Sequence, residues 1–184
     1  MKLLVPILSG LLMLALLAPT FNSCKKGEED PFLSLKSRDA RITGEWELTK
    51  IEGTQVESYG TTTTTTYTYN GTIYTKANNP GTTTTASGTY ELTIDKKGAV
   101  SYSETYTPSG ETVIIKTGHS TWYWVDADKN KSSVVLNVDG NLFSGGIYVV
   151  EQLKNKEIIL LEKYDWVSGT NSNSIDKRYT FTKE

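Results

Sequence analysis

From Ile42 to the C-terminus, apolar and polar residues alternate with a period of two, and short turn sequences interrupt the alternation. A period of two places successive side chains on opposite faces of a β-strand, whereas no stretch of this chain sustains the apolar spacing of an amphipathic helix. The first strand is predicted over Gly44–Ile51, with Trp46 and Leu48 on one face. About nine or ten such strands follow one another, so we predict an all-β protein.

Tight turns separate these strands, as at Asp95–Gly98, Pro108–Gly110, Asp126–Lys131 and Asp139–Asn141. Short turns join antiparallel neighbours, which predicts an up-and-down meander. Closing the meander into a barrel removes its exposed strand edges completely. We therefore predict an antiparallel barrel, with a two-sheet β-sandwich as the alternative.

Threonine is concentrated in one segment, where Thr61–Thr66 and Thr82–Thr85 flank the stretch Tyr67–Tyr74. Asn-Gly dipeptides favour tight hairpin turns, so a hairpin reversing at Asn70-Gly71 is predicted there. Its strands place three tyrosines on one aromatic face, and we expect the hairpin, an insertion at residues 59–86, to be exposed. The candidate surface for a protein or glycan partner consists of Tyr67, Tyr69 and Tyr74.

The N-terminus has the pattern of an export signal. Lys2 precedes the apolar run Leu3–Ala18, and polar residues follow it. The run is shorter than the roughly 20 apolar residues that a membrane-spanning helix needs. We predict that residues 1–23 are a signal peptide.

Cys24 is the only cysteine and comes directly after this segment. The stretch Phe21–Cys24 resembles the lipobox of bacterial lipoproteins, which implies that Cys24 carries the lipid. The following stretch, Lys25–Asp30, resembles the export tag of Bacteroidetes surface lipoproteins. Residues 24–41 are then a lipidated tether, and we expect the protein at the outer membrane or cell surface, anchored in the membrane through its lipid.

Charge argues against nucleic acid as a partner, because the 184-residue chain has a formal net charge of −2 and a pI near 5.6. Catalytic and metal-binding patterns are equally weak. His119 and Ser120 are adjacent on a strand and therefore point to opposite faces, which does not suit a catalytic triad. Asp126–Asn130 begins like a calcium loop but lacks the glycine and the glutamate that complete one. We predict no enzymatic activity, no metal and no cofactor.

Gly44-x-Trp46 in the first strand resembles the Gly-x-Trp opening of lipocalins. The spacing of Trp122 and Trp124, of the aliphatic positions in 148–160 and of Tyr179–Phe181 is similar to lipocalin-like lipoproteins of Bacteroidetes. The resemblance covers residues 42–184 and implies a lipocalin-like barrel. It also implies that Trp46 packs across the closed bottom of that barrel.

Aromatic residues along the inward positions of the predicted strands could line a pocket for a small apolar or amphipathic ligand, or could simply fill the barrel. A surface interaction protein that uses the Thr/Tyr hairpin is the alternative function, and the oligomeric state stays open. The candidate ligand-binding residues are Tyr90, Tyr102, Tyr106, Trp122, Trp124 and Tyr148.

Overall fold

The computed structural model describes residues 36–127 and 131–183. The predicted signal peptide, Cys24 and the first part of the tether lie outside the described residues. Within them the chain forms one short helix, α1, and ten strands. Their bounds are α1 Arg38–Ile42, β1 Gly44–Ser58, β2 Thr62–Tyr69, β3 Ile73–Asn79, β4 Thr83–Ile94, β5 Ala99–Pro108, β6 Ile114–Trp124, β7 Ser133–Leu136, β8 Gly146–Leu153, β9 Glu157–Ser168 and β10 Asn171–Thr182.

The ten strands form a closed antiparallel barrel in which each strand pairs with its neighbours in the chain and β10 pairs with β1. The predicted meander and its closure are confirmed, and the alternative of a sandwich is excluded. Alternation explains the closure, because residues such as Tyr90, Leu92 and Ile94 of β4 point inward and are buried, while Glu91 and Thr93 are exposed. Curling the sheet into a ring covers this apolar face and leaves no open strand edge.

Strand β1 contains an irregularity that extends its buried face. The pairing with β10 shifts between Leu48 and Lys50, so that Thr49 is an extra residue in β1. Its hydroxyl donates a 3.2 Å hydrogen bond to the Thr180 carbonyl. Because the bulge changes the phase of the alternation, Ile51 is buried on the same side as Trp46 and Leu48.

The Thr/Tyr-rich hairpin is a wedge in the barrel wall. At one end of the barrel, Gly44–Glu47 of β1 pairs directly with Glu91–Ile94 of β4. Farther along, β1 pairs with β2 instead, and β3 pairs with β4, so the hairpin separates the two strands. The barrel is therefore eight strands around at its narrow end, where β2 and β3 are missing from the ring, and wider at the other end, which we call the mouth.

Helix α1 covers the narrow end. The Trp46 indole N–H donates a 2.7 Å hydrogen bond to the carbonyl of Ile42, the last residue of the helix. The Lys183 ammonium lies 4.0 Å from the centre of the Trp46 ring and donates hydrogen bonds to the Arg41 and Thr43 carbonyls. Trp46 is almost fully buried at this end of the barrel, beneath helix α1.

Candidate functional site

The six predicted ligand-binding aromatics lie at three levels of the barrel. Trp122 and Trp124 lie at the closed end, where their indole N–H groups donate 2.6 Å hydrogen bonds to the Asp95 carbonyl and to the Asp39 carboxylate. Tyr90, Tyr102 and Tyr148 lie in the middle of the barrel, and Tyr106 lies toward the mouth against Tyr74. The structure therefore does not bring the six together around one space.

The prediction that the hairpin's aromatic face is exposed is wrong. Tyr67 and Tyr69 are buried and Tyr74 is half-buried, because β2 and β3 belong to the wall and turn this face inward. The Tyr69 hydroxyl donates to the Gly88 carbonyl at 2.9 Å. Only the threonine face of the hairpin, including Thr66 and Thr68, faces solvent.

The turn of this hairpin also differs from the prediction. Asn70 donates its amide to the Ile73 carbonyl, so Gly71 and Thr72 form the turn, and Gly71 has a φ of 90°. The Asn70 side chain accepts from the amides of Thr72 and Ile73. The asparagine thus stabilises the turn from its first position rather than from its centre.

Residues 137–145, between β7 and β8, form a loop that enters the barrel; we call it the plug loop. Its Phe143 is 1% exposed and lies in the middle of the aromatic interior. The Phe143 ring centre lies 4.9 Å from that of Tyr148, 5.0 Å from that of Tyr179 and 5.1 Å from that of Phe181. Phe143 therefore fills the central space in which a ligand pocket was predicted.

Glu104 of β5 holds the plug loop. Glu104 is 1% exposed, and its carboxylate accepts hydrogen bonds from the backbone amides of Asn141 at 2.8 Å and Leu142 at 2.6 Å. The Asn141 side-chain amide donates a further bond at 2.9 Å. A buried carboxylate is stable only when such donors replace its water shell, so these contacts bind the loop to the wall.

The mouth side of the plug loop contains a polar cluster formed by Lys177, Glu162 and Tyr179. The Lys177 ammonium lies 3.0 Å from the Glu162 carboxylate, which also accepts a 2.8 Å hydrogen bond from the Tyr179 hydroxyl. Lys177 lies 4.6 Å from the centre of the Tyr67 ring. A cavity of about 70 Å³ remains here, lined in part by Tyr67, Lys177 and Tyr179.

Tyrosine hydroxyls within the barrel resist ionisation. Burial, followed by the nearby charge of Glu162, raises the pKa of Tyr179 far above its ordinary value. Burial likewise raises the pKa of Tyr148 and Tyr90, and it raises that of Tyr69 to about 12 together with the charge of Glu47. These hydroxyls are therefore neutral hydrogen-bonding groups at physiological pH.

Beyond this cluster, the inner face of the mouth is less densely packed. Strand register places Tyr164 opposite Ile175 and Trp166 opposite Asn173, on the same face as Tyr179. Tyr164 is 49% exposed and Trp166 is 39% exposed. Aromatic surface therefore remains accessible on the inner side of the wall.

Amide and hydroxyl groups continue this inner face across the neighbouring strands. The Gln55 amide donates to the Asn173 side chain at 3.3 Å and accepts from the Tyr67 hydroxyl at 2.8 Å. The Thr65 hydroxyl donates to the Asn78 side chain at 2.9 Å. The mouth thus combines accessible rings with a fixed row of uncharged polar groups.

The wall is lower on one side of the mouth. Strand β7 has only four residues, and β8 pairs with β9 only from Val149 onward. The β9 segment from Glu162 to Ser168 accordingly pairs with β10 alone. The plug loop lies at this low side of the wall, between β7 and β8.

His119 is exposed on the outer face of β6, and Ser120 lies on the inner face. Across residues 36–127 and 131–183, no three histidine, cysteine, aspartate or glutamate side chains come together as metal ligands. The calcium-like segment falls partly outside the described residues. Helix α1, the helix described for this chain, is too short to cross a bilayer, and the described part of the chain contains no helix that could do so.

Sequence reasoning missed Glu104, Phe143, Lys177 and Trp166. For Glu104 a signal existed, since it is a single carboxylate at an inward position of β5, between Tyr102 and Tyr106. A buried charge in an aromatic face indicates a dedicated partner. Phe143 had a weaker signal, because it is an aromatic residue in a glycine-containing turn, where exposed rings are unfavourable.

Comparison of the chain with protein-family models, with curated proteins and with solved structures found no match. The class of protein therefore follows from the architecture. It is a closed ten-stranded antiparallel β-barrel, compatible with a lipocalin-like fold, with a plugged interior and an aromatic and polar mouth.

Proposed function

We propose that this protein is a lipid-anchored cell-envelope protein that binds a small amphipathic molecule at the mouth of its barrel. The observation that carries the proposal is the inner face of the mouth, where Tyr164 and Trp166 stay about half exposed although they lie on the face that is packed elsewhere. Rings left accessible beside fixed polar groups are the usual composition of a small-molecule site.

The polar groups of the mouth suit the other end of such a ligand. Gln55 and Asn173 offer amide donors and acceptors, and Lys177 offers a cation that is largely shielded from water. An apolar or aromatic portion of the ligand would stack on Trp166 and Tyr164. A hydroxyl, amide or carboxylate of the ligand would form hydrogen bonds with the polar side chains of the mouth. This pairing of chemistries favours an amphipathic molecule over a pure hydrocarbon.

The anchor proposal rests on Cys24 and its preceding apolar segment. Helix α1 lies at the narrow end of the barrel, opposite the mouth, so the tether from Cys24 would reach the barrel at its closed end. This supports an orientation with the mouth directed away from the membrane, at the outer membrane or cell surface. The resemblance of Lys25–Asp30 to the export tag of Bacteroidetes surface lipoproteins supports the proposed location.

Binding is tested with a dansyl-labelled fatty acid, followed by the fluorescence of the probe. We expect saturable binding to the wild type and a loss of about tenfold in affinity in the double variant Tyr164→Ser/Trp166→Leu, because one or two apolar contacts of this size contribute that much. Tyr123→Ser is the matched control, since Tyr123 is similarly exposed but lies on the outer face. Absence of binding, or equal affinity in the double variant, would reject the mouth as the site.

The anchor is tested separately by Cys24→Ala in cells. We expect the wild type in the membrane fraction and the variant in the soluble fraction, because one residue carries the acyl chains. A variant that stays with the membrane would refute lipidation at Cys24.

A further inference from the structure

The central ring of the barrel interior comes from a loop and not from the wall. Phe143 lies within 5.6 Å of the ring centres of Tyr90, Tyr148, Tyr179 and Phe181, all of which project from strands. A side chain in that position can leave without breaking a strand pair. The aromatic rings of Tyr90, Tyr148, Tyr179 and Phe181 would then enclose a space of the size of one flat ring, which we call the chamber.

The plug loop is built as a separate unit. The Gly145 amide donates to the Val138 carbonyl at 2.8 Å and closes the base of the loop. Gly140 lies so close to Phe143 and Tyr90 that an added Cβ would be 2.5 Å from the Phe143 carbonyl oxygen and 2.6 Å from the Tyr90 ring. The loop is thus compact and fits closely against the chamber.

Two kinds of contact hold this unit in the barrel: the burial of Leu142 and Phe143 among the strand residues, and a small number of hydrogen bonds. Asn141 and Leu142 donate to Glu104, and the Tyr148 hydroxyl donates to the Ser144 carbonyl. Hydrogen bonds of this kind exchange for bonds to water when a loop leaves, whereas the strand ladders stay intact. Opening of the loop would thus expose Leu142 and Phe143 but would break no strand pair.

The chamber also contains a polar group that lacks a hydrogen-bond partner among the described residues. The Tyr90 hydroxyl is buried and has no hydrogen-bond partner among the described residues. Buried hydroxyls almost always have a partner, because losing water without replacement is unfavourable. Phe143 covers Tyr90 but offers its hydroxyl no acceptor, which a ligand in the same place could do.

We propose that the plug loop is displaceable and that Phe143 occupies a second, internal site for a flat apolar ring carrying one hydrogen-bond acceptor, which the Tyr90 hydroxyl would bind. The inference rests on the proposed binding function for its natural ligand. The opening of the loop and the chemistry of the chamber can be tested without that ligand.

Opening of the loop is tested by native-state hydrogen exchange on the wild type. We expect the buried Leu142 amide to exchange about 100-fold faster than the Leu160 amide of β9, with little dependence on low denaturant, because only the loop has to open. Equal rates with the same denaturant dependence would mean that the loop leaves only when the barrel unfolds. That result would overturn the proposal.

The chamber is tested in Phe143→Ala with acetophenone and ethylbenzene, two probes of similar shape of which only acetophenone has a carbonyl acceptor. We expect Phe143→Ala to bind acetophenone, with about fivefold preference over ethylbenzene, as one neutral hydrogen bond provides. Tyr90→Phe in the same background should abolish the preference. Tyr123→Ala, which removes an outer ring and keeps Phe143, serves as the control and should bind acetophenone more weakly than Phe143→Ala, because the plug loop first has to leave the chamber.

No binding by a folded Phe143→Ala, or the same preference with and without the Tyr90 hydroxyl, would also overturn the proposal. If Phe143→Ala does not fold, the exchange experiment on the wild type decides. If the loop and chamber tests fail but the fatty acid still binds at Tyr164 and Trp166, the proposed function is retained. Rapid loop exchange without fatty-acid binding would reject the mouth site alone.

Discussion

The backbone amide of Leu142 donates a 2.6 Å hydrogen bond to the carboxylate of Glu104, which lies 38 residues earlier in the chain. This contact joins the loop between β7 and β8 to strand β5 of the wall and holds Phe143 inside. It shows that the interior of this barrel is organised by one buried charge as well as by apolar packing.

Replacing Glu104 should therefore lower the stability of the folded protein. In Glu104→Leu the amides of Asn141 and Leu142 lose their acceptor while they stay in a largely apolar environment, and we expect the free energy of unfolding to fall by about 2–4 kcal/mol. Urea denaturation followed by tryptophan fluorescence measures this. Glu91→Leu, on the outer face of the adjacent strand, is the control, and an equal effect there would contradict the role given to Glu104.

Because β2 is part of the barrel wall, substitutions at neighbouring residues of this strand should differ in their effect on stability. Tyr69→Ala removes a buried ring and should lower the free energy of unfolding by about 3–5 kcal/mol. Thr68→Ala changes the exposed face of the same strand and should stay within about 0.5 kcal/mol of the wild type. Thermal or urea unfolding of both variants provides the measurement, and similar small effects would mean that the hairpin is not part of the core.

Alkaline pH should destabilise the barrel. Burial and Glu47 raise the pKa of Tyr69 to about 12 in the folded protein, whereas in the unfolded chain it is near 10.0. The folded state then holds a proton that the unfolded state releases, so stability is full below the unfolded pKa and falls as the pH rises through the folded value. Urea midpoints measured across this range should decrease, and Tyr69→Phe should show a shallower decrease; a flat profile would contradict the burial of these hydroxyls.

Asp39 connects helix α1 to the barrel and should contribute stability at neutral pH. Burial raises its pKa, but hydrogen bonds from Lys131 and Trp124, with the charge of Lys131, outweigh burial and leave the pKa below 3.8. A lowered pKa means that the contribution is present above the unfolded value and is lost as the pH falls through the folded one. We expect Asp39→Asn to lose about 1 kcal/mol at neutral pH and little in acid.

The Asp39 prediction is checked by urea unfolding at both pH values, followed by tryptophan fluorescence. Asp165→Asn, an exposed aspartate near the mouth, is the control. An Asp39→Asn effect of the same size in acid and at neutral pH would show that the carboxylate is not the source of the stability.

The pair Trp46 and Lys183 closes the narrow end and should be energetically coupled. A double-mutant cycle with Trp46→Leu and Lys183→Met should give a coupling of about 1–2 kcal/mol, because the ammonium lies over the ring and is partly shielded from water. Lys183 also donates to the Arg41 and Thr43 carbonyls, so each single variant should be destabilising. A coupling near zero would mean that the two residues stabilise the closed end independently.

Much of the architecture was predictable from local patterns. The turns at Asp95–Gly98 and Pro108–Gly110 and the inward positions of β4 follow from alternation and from turn chemistry. The longer extent of β1 and β10 was not predictable, because their outer halves are mostly polar and are strands through their pairing with each other, with β2 and with β9. The same holds for β2, whose threonine run has no apolar alternation to indicate which face is inside.

The candidate site was only partly predictable. Tyr90, Tyr102 and Tyr148 were correctly placed in the interior, because an inward position can be inferred from alternation alone. Their distance from Trp122 and Trp124 along the barrel axis could not be inferred, because it depends on strand stagger. The entry of Phe143 into the middle of these rings depends on a contact between β5 and a loop that is remote in the chain.

The local pattern of residues 42–184 is enough to predict a β-meander with one buried face, because a period of two gives a continuous apolar side only in a strand. Closure into a barrel was predicted with a two-sheet sandwich as the alternative, because either arrangement covers one apolar face, and the pairing of β1 with β10 decides for the barrel. What occupies the enclosed space depends on contacts between residues that are far apart in the chain. The volume inside a barrel depends on stagger, on the hairpin wedge and on one loop held by Glu104, and none of these is a property of a local stretch of residues.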